Sequence, residues 1–481
     1  MKLKLLGVLV ATTLCACTLD PAYQRPDAPV TSAWPAGDAY QTQAANAGNN
    51  PLAADVGWRD FFRDPRLQKL IELALQNNRD LRVAALNVAE YEAKYRIAKA
   101  DLAPTVDASG SFTRERSEGV TSSSSSASIG ISAWEIDFFG RLRSLKRQAL
   151  EEYLSTDAAR TSTQLSLIAT VATDYLQLLA DEESLAITQR TVDADQNTYD
   201  LTLKMMERGS ASMQDVQQAR TTLASARSNL AAYTRDVAQD RNNLAESIGS
   251  PLPDDLPQGG TLMTSQSLLA DIGEGVPSDL LTRRPDIVEA EHSLKAANAD
   301  IGAARAAFFP KIELTASAGT SSSGLSGLFK AGSGAWTFAP SITMPIFDYG
   351  YNKATLDVAK IEKNIEIADY EKTIQTAFKE VANGLAGRST YVAQTVADRE
   401  YVAAAQQYYD IAQARYQRGT DSFLTLLDAQ RSLYTAQQQL VTDTLSQLSN
   451  LITLYKALGG GWSETSVPAQ AASTESKLST P

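Results

Sequence analysis

Hydrophobic and polar positions along this chain follow two different periods, and the changes between them mark its elements. In 311–319, "KIELTASAG", Ile312, Leu314, Ala316 and Ala318 alternate with Lys311, Glu313, Thr315 and Ser317. That period of two is the pattern of a strand with one apolar face. The same alternation runs through 105–113 (Val106, Ala108, Gly110, Phe112), 126–133 (Ala127, Ile129, Ile131, Ala133) and 336–346 (Trp336, Phe338, Ile342, Met344, Ile346). Pro340 and Pro345 count against a central strand in the last of these. After Ala133 the phase flips to Trp134, Ile136 and Phe138, which predicts a bulge or a sheet edge. The segments "SEGVTSSSSS" and "GTSSSGLSGLFKAGSG" read as flexible, polar hairpin tips.

Elsewhere the period is helical and the runs are long. Between Gly140 and Gly209 lie 68 residues without Gly or Pro, and between Gly350 and Gly419 another 68 interrupted only by Gly384 and Gly387. From Gly209 to Gly249 and from Gly419 to Gly459 there are 39 intervening residues each. Tyr199/Tyr409, Asp200/Asp410, Arg208/Arg418, Leu223/Leu433, Leu230/Leu440 and Leu244/Leu454 keep the same offset of 210. "DFFG" and "FDYG" precede the long segments, and "KADLAP" at Pro104 answers "RAAFFP" at Pro310 at an offset of 206. The chain is therefore two copies of one unit, each read as helix, strand, strand, long helix, shorter helix. Helices of 68 and 39 residues would span roughly 100 and 60 Å. They must pack lengthwise against others.

Segment 420–458 carries two apolar seams. One is Leu424, Leu427, Tyr434, Val441, Leu445, Leu448, Ile452 and Tyr455, with polar interruptions at Arg431 and Gln438; the other is Phe423, Leu426, Leu433, Leu440, Leu451 and Leu454. Two seams predict a helix wedged between two neighbours, as in the wall of a tube. A plain helical bundle satisfies the helices alone. Strands of about ten residues with one small-apolar and one polar face match outer-membrane barrel strands, the alternative being a soluble sandwich. Four strands cannot close a membrane barrel, so a membrane-spanning reading requires an oligomer.

The start, "MKLKLLGVLVATTLCAC", has Lys2 and Lys4, an apolar run and small residues before Cys17, the form of a secretory leader. Removing Lys2 and Lys4 with that leader lowers the formal net charge from −12 to −14, which argues against nucleic acid as a partner. No later apolar run is long enough for a transmembrane helix. His292 is the only histidine, and the two cysteines lie at the leader, so nucleophile pairs and zinc sites of the usual type lack their residues. No phosphate-binding loop motif occurs. No enzyme activity, cofactor or metal is expected, and energy for any transport must come from another protein. Boundaries follow the landmarks: leader 1–16, N-terminal extended segment 17–60, first repeat 61–250, linker 251–279, second repeat 280–460, disordered tail 461–481.

The "LCAC" ending at Cys17 resembles a bacterial lipobox, with Cys15 standing where Ala or Ser is usual. "GWRDFFRDPRLQKLIELALQNNRDLR", "LLTRRPDIVEAEHSLKAANADIGAARAAFFPKIEL", "PIFDYG", "YQRGTDSFLTLLDAQRS" and "LYKALGGGW" occur in the order seen in TolC-type outer membrane efflux proteins. The chain is similar to their lipoprotein, NodT-like branch over nearly its whole mature length. The resemblance implies an α+β membrane protein: a homotrimer with a twelve-stranded β-barrel, four strands per protomer, continuing into a long periplasmic α-helical barrel. It implies acylation of Cys17, an outer-membrane location in contact with lipid, and the role of exit duct in a tripartite pump. The implied partners are a periplasmic adaptor and an inner-membrane RND-type transporter.

By the same resemblance Gly209 and Gly419 lie at the helix-hairpin tips, where the periplasmic end closes as an iris. The constriction residues carry over onto Leu424 and Asp428, with Asp421 as a second acid seven residues earlier on the same helix face. Arg431 matches the latch contacts, and Tyr416 belongs to the facing helix. Asp428 and Arg431 also fit an exposed i,i+3 pair with no gating role. The first repeat has Gln214 and Gln218 where the second has Leu424 and Asp428, so the acidic ring is expected from one repeat only. Two other functions remain open at this point: a protein-secretion duct of the same superfamily, and a non-conducting scaffold or adhesin of coiled helices.

Overall fold

The structure is a computed structural model that describes residues 19–40, 51–267, 269–270, 272–273, 275 and 277–466. The leader, Cys17 and the tail from 467 lie outside the described residues. The helices are α1 (Trp58–Phe61), α2 (Pro65–Asn77), α3 (Arg79–Ala100), α4 (Arg141–Glu207), α5 (Met213–Ile248), α6 (Pro277–Arg283), α7 (Pro285–Ala306), α8 (Tyr351–Gln417) and α9 (Phe423–Ala457). The strands are β1 (Val106–Ser117), β2 (Val120–Glu135), β3 (Lys311–Ser322) and β4 (Gly334–Thr343). Each repeat thus runs helix, strand, strand, long helix, shorter helix. The glycines delimit the long elements: α4 and α8 have 67 residues each, and α5 and α9 have 36 and 35.

The chain divides into two compact units. The first takes residues 1–28, 85–158 and 288–373 and contains the sheet. Its strands lie in the order β1-β2-β3-β4, all antiparallel, so β1 and β4 each pair on one side only. The register brings the apolar positions of separate strands into common rows: Val106–Ile131–Ala316–Phe338 and Ala108–Ile129–Ala318–Trp336. The alternate rows are polar or small, as in Asp107–Gly130–Ser317–Thr337, and Ser109 pairs with Ser128, Oγ to Oγ, at 3.0 Å. The phase flip is a register shift between Ile131 and Trp134, with Ala133 at φ 49° between them. Pro340 sits in edge strand β4 opposite Leu314, where a missing N–H need not break the pairing, and β4 ends before Pro345.

One expectation for this unit is corrected. "SEGVTSSSSS" is not a long flexible tip: the turn is Glu118–Gly119 alone, both at positive φ (49° and 84°), and Val120 opens β2. Two residues of left-handed conformation match the twist of the flanking strands, so the serines pair with β1 instead of looping. The second tip is a true loop after Ser322, containing a 3-10 turn at Leu325–Gly327. The N-terminal residues of this unit are pinned to its helices. Asp20 accepts from Ser144 and pairs with Arg147, and Glu291 takes both Tyr23 and Arg25.

The second unit takes residues 29–84, 159–287 and 374–481. Its core centres on Trp58, Phe61, Phe62, Leu70, Ile71, Tyr175 and Tyr455, all nearly without exposure. Phe61 stacks on Tyr455 at 3.8 Å, and Tyr175 donates to Asp64, whose other oxygen caps α2 through the Arg66 and Leu67 amides. The tail does not become free at 461. Ser463 and Glu464 accept from the Trp58 and Arg59 amides, and Ser466 accepts from the Gly57 amide and donates its own amide to Asp60, so the chain is held to 466.

Candidate functional site at the helix-hairpin tips

Both tips lie in the second unit, and both are built the same way. Gly209 and Gly419 take φ of +78° and +68°, a conformation that Cβ-bearing residues adopt at a cost. Behind each, two amides turn back onto the last helical turn: Gly209 to Met206 and Ser210 to Met205, Gly419 to Tyr416 and Thr420 to Arg415. This ends the long helix by satisfying carbonyls that helix geometry leaves unpaired. A serine then starts the next helix. Ser212 accepts from the Asp215 amide at 3.2 Å, and Ser422 accepts from the Thr425 amide at the same distance.

The residues singled out from the sequence fall into different settings. Leu424, on the first turn of α9, is 65% exposed although it heads an apolar seam. Asp428, one turn on, is also exposed, and its carboxylate accepts from the Tyr408 hydroxyl across the hairpin at 3.2 Å. Leu424 and Asp428 therefore share an exposed face. Asp421 does not share it. It precedes the Ser422 cap and lies outside α9, so the seven-residue spacing to Asp428 is not two turns of one helix. The Ser422 amide, then the Thr425 hydroxyl and Arg415, hold its carboxyl below the usual carboxylate range.

Arg431 is exposed, and among the described residues no ion pair joins it to Asp428. Tyr416 is buried. Its ring lies 5.7 Å from Phe423, and its hydroxyl meets that of Thr202 at 3.0 Å. Around it Ala219, Ala412, Leu426, Leu427 and Ala429 form a compact apolar cluster joining the two repeats. The sequence reading missed Tyr408, Asp195, Thr202 and Gln430. A signal for part of this existed: Thr188, Asp195 and Thr202 are spaced by seven, the repeat of one helix face.

Among the described residues no group of three His, Cys, Asp or Glu could hold a metal. His292 sits against Glu151, Nδ1 to Oε2 at 2.6 Å, on α7 and α4 in the first unit. No helix among the described residues is long and apolar enough to cross a membrane, which leaves the question of a β-barrel to the strands.

Comparison with known proteins gives the same architecture. The family described as "Outer membrane efflux protein" matches residues 70–250 and again 276–460, one match for each repeat. The chain is 52% identical over 487 aligned positions, covering 99% of each sequence, to the antibiotic efflux pump outer membrane protein ArpC of Pseudomonas putida. It has the same identity and coverage with the toluene efflux pump outer membrane protein TtgC of that species. Its fold superimposes on the open state of the MtrE outer membrane channel of Neisseria gonorrhoeae with a TM-score of 0.85 and 40% identity, covering 94% of this chain and 100% of that one.

The protein is thus located in the outer membrane, with helices on the periplasmic side. Each protomer supplies four strands to a trimeric twelve-stranded β-barrel and its long helices to an α-helical barrel. A family of transport channels leaves no place for the scaffold alternative. The two family matches, one per repeat, and the relatives that span the whole chain lead to one conclusion: this chain belongs to the outer membrane efflux protein family.

Proposed function

We propose that this chain is the passive exit duct of a tripartite efflux pump, fed by an inner-membrane RND-type transporter through a periplasmic adaptor. The observation that supports it best is the sheet. Its apolar rows are exposed in the protomer, with Trp336, Phe338, Ile342, Val106 and Ile129 all uncovered, while the alternate rows are mostly serine, threonine and glycine, with Asp107, Ala335 and Ala339 among them. One apolar face suits lipid, and the opposite face suits a wet lumen. Cys17 is the proposed acylation site, anchoring the protein to the same membrane. The cargo is taken to be small organic molecules, apolar or amphipathic. Two relatives of equal identity are named for toluene and for antibiotics, so the choice is assigned to the transporter.

The proposed gate is the exposed face of α9 with Leu424 and Asp428. Threefold symmetry makes Asp428 a ring of three carboxylates, and a narrow acidic ring attracts cations because a constriction focuses the field. Arg431 is the candidate latch residue between protomers, Asp421 an outlying acid, and Tyr416 a packing contact behind the gate. Gly209 and Gly419 let the hairpins turn. The test is single-channel current in planar bilayers, with reversal potential under a salt gradient. Asp428→Ala should lower cation preference and raise conductance, and adding Asp421→Ala should add little. Unchanged current and selectivity in Asp428→Ala would return Asp428 to a solvated surface role.

A further inference from the structure

The two repeats are joined along α4 by polar side chains at heptad spacing. Thr188, Asp195 and Thr202 are all within a few per cent of full burial. Each meets a partner from the second repeat: Thr188 and the Tyr434 hydroxyl at 3.1 Å, Asp195 and Gln430, Thr202 and the Tyr416 hydroxyl at 3.0 Å. On α9 the series continues one turn beyond Tyr434, where Gln438 accepts from the Tyr233 hydroxyl of α5 at 3.0 Å. A polar side chain at an otherwise apolar seam position fixes register, because any slip leaves buried groups without partners.

Asp195 differs from the rest of the series in being ionisable. One carboxylate oxygen accepts from the Gln430 amide, and the other is buried with no hydrogen-bond partner. No cation reaches it among the described residues. On α4, Asp193 and Asp200 are turned to Gln189 and Gln196. On α5, Arg227 goes to Gln196, while Leu223 and Ala226 pack against Val192. On α9 the neighbouring charges, Asp428 and Arg431, are exposed. On α8 the ionisable neighbour is Tyr409, whose phenol is pushed up by burial and then by the charge of Asp195. Burial raises the Asp195 carboxyl to about 6, against a lowering by the Gln430 bond.

We propose that Asp195 is a proton-dependent fastener between α4 and the gate helix α9: the buried seam around Gln430, and with it Asp428 two residues earlier, closes more firmly when the acid is neutral than when it is charged. The neutral acid keeps the Gln430 bond and brings no charge into the seam; the carboxylate must stay there with one donor. The direction follows from linkage. The fastened state binds the proton at about 6, and a solvated aspartate near 3.8. Fastening is therefore fully favoured below about 4, weakens as pH rises towards 6, and is constant above it. A separation of about two pKa units corresponds to about a hundredfold in the fastening equilibrium.

The inference rests on the gate reading, and the test separates the two. Purified trimer is followed by hydrogen exchange of α9 amides around 428–434, comparing variants with wild type at each pH. Asp195→Asn removes the charge and keeps an acceptor. At pH 7 it should slow exchange there by tenfold to a hundredfold, and at pH 4 it should match wild type. Equal exchange at pH 7 overturns the proposal. Gln430→Leu removes the donor and should move the wild-type pH midpoint upward; an unmoved midpoint also overturns it. Conductance is measured beside this. If Asp195→Asn changes exchange while Asp428→Ala leaves current and selectivity unchanged, the gate reading fails and the fastener stands. If Asp428→Ala acts and Asp195→Asn does not, the fastener fails alone.

Discussion

Phe338→Arg, compared with Thr337→Arg, tests which face of the sheet meets lipid. The two residues are neighbours in β4 and point to opposite faces. Phe338 closes the row Val106–Ile131–Ala316–Phe338 and is 63% exposed in the protomer; Thr337 closes the row Asp107–Gly130–Ser317–Thr337. Neither side chain makes a hydrogen bond that its replacement would break. β4 has ten residues, and Phe338 is the fifth. At about 3.3 Å per residue and a tilt of about 45°, such a strand rises roughly 23 Å, close to the ~25 Å apolar band of outer-membrane barrels. Phe338 is then near the midplane, where an arginine costs about 2–4 kcal/mol. Per site this is roughly 30- to 700-fold in the folding equilibrium, at tenfold for each ~1.4 kcal/mol. Three copies in a trimer place about 6–12 kcal/mol against insertion if their costs add. The assay is the yield of heat-resistant trimer after refolding into lipid vesicles, with denaturant titration of what inserts. Phe338→Arg should fail or insert poorly, and Thr337→Arg should insert and alter conductance. Equal losses, or a greater loss for Thr337→Arg, would refute the face assignment.

Arg284→Met should destabilise the second unit by about 3 kcal/mol, the low end for breaking a buried pair. Arg284 is 6% exposed, and its guanidinium serves Asp286, Glu380 and the Ala457 carbonyl at the end of α9, but both acids keep access to water. Denaturant midpoints would register it, and an unchanged midpoint would contradict the network's importance. Gly419→Ala should cost about 1–2 kcal/mol through its left-handed backbone alone, since an added Cβ meets nothing within 4 Å. Hydrogen exchange at 415–420 should rise while the sheet is unaffected. Cys17→Ser should abolish acylation, read by mass spectrometry of the mature N-terminus, and leave a trimer that still inserts; an unmodified wild-type Cys17 would defeat the lipid anchor.

Local chemistry determined much of this protein from the sequence. Gly140 and Gly350 stand just before the long helices and Gly209 and Gly419 just after them, all in the left-handed region that glycine enters cheaply, so the long helices and the duplication are legible from spacing. Alternation marks the strands, and a break in its phase marks the bulge between Ile131 and Trp134, since the side-chain period of a strand is two. Tertiary structure decided what pairs with what. The sequence shows four amphipathic strands, but only register aligns Phe338 with Ala316, Ile131 and Val106 on one face. It assigns two acids to the second tip, but the Ser422 cap leaves one of them off the helix and held by Arg415. Tyr416 proved a buried link to Thr202, and Asp195 and Gln430, unremarkable as letters, became partners 235 residues apart. Periodicity tells which face of an element is apolar. Which polar residue is tolerated within that face depends on a donor or acceptor from a distant segment, and that is a property of packing.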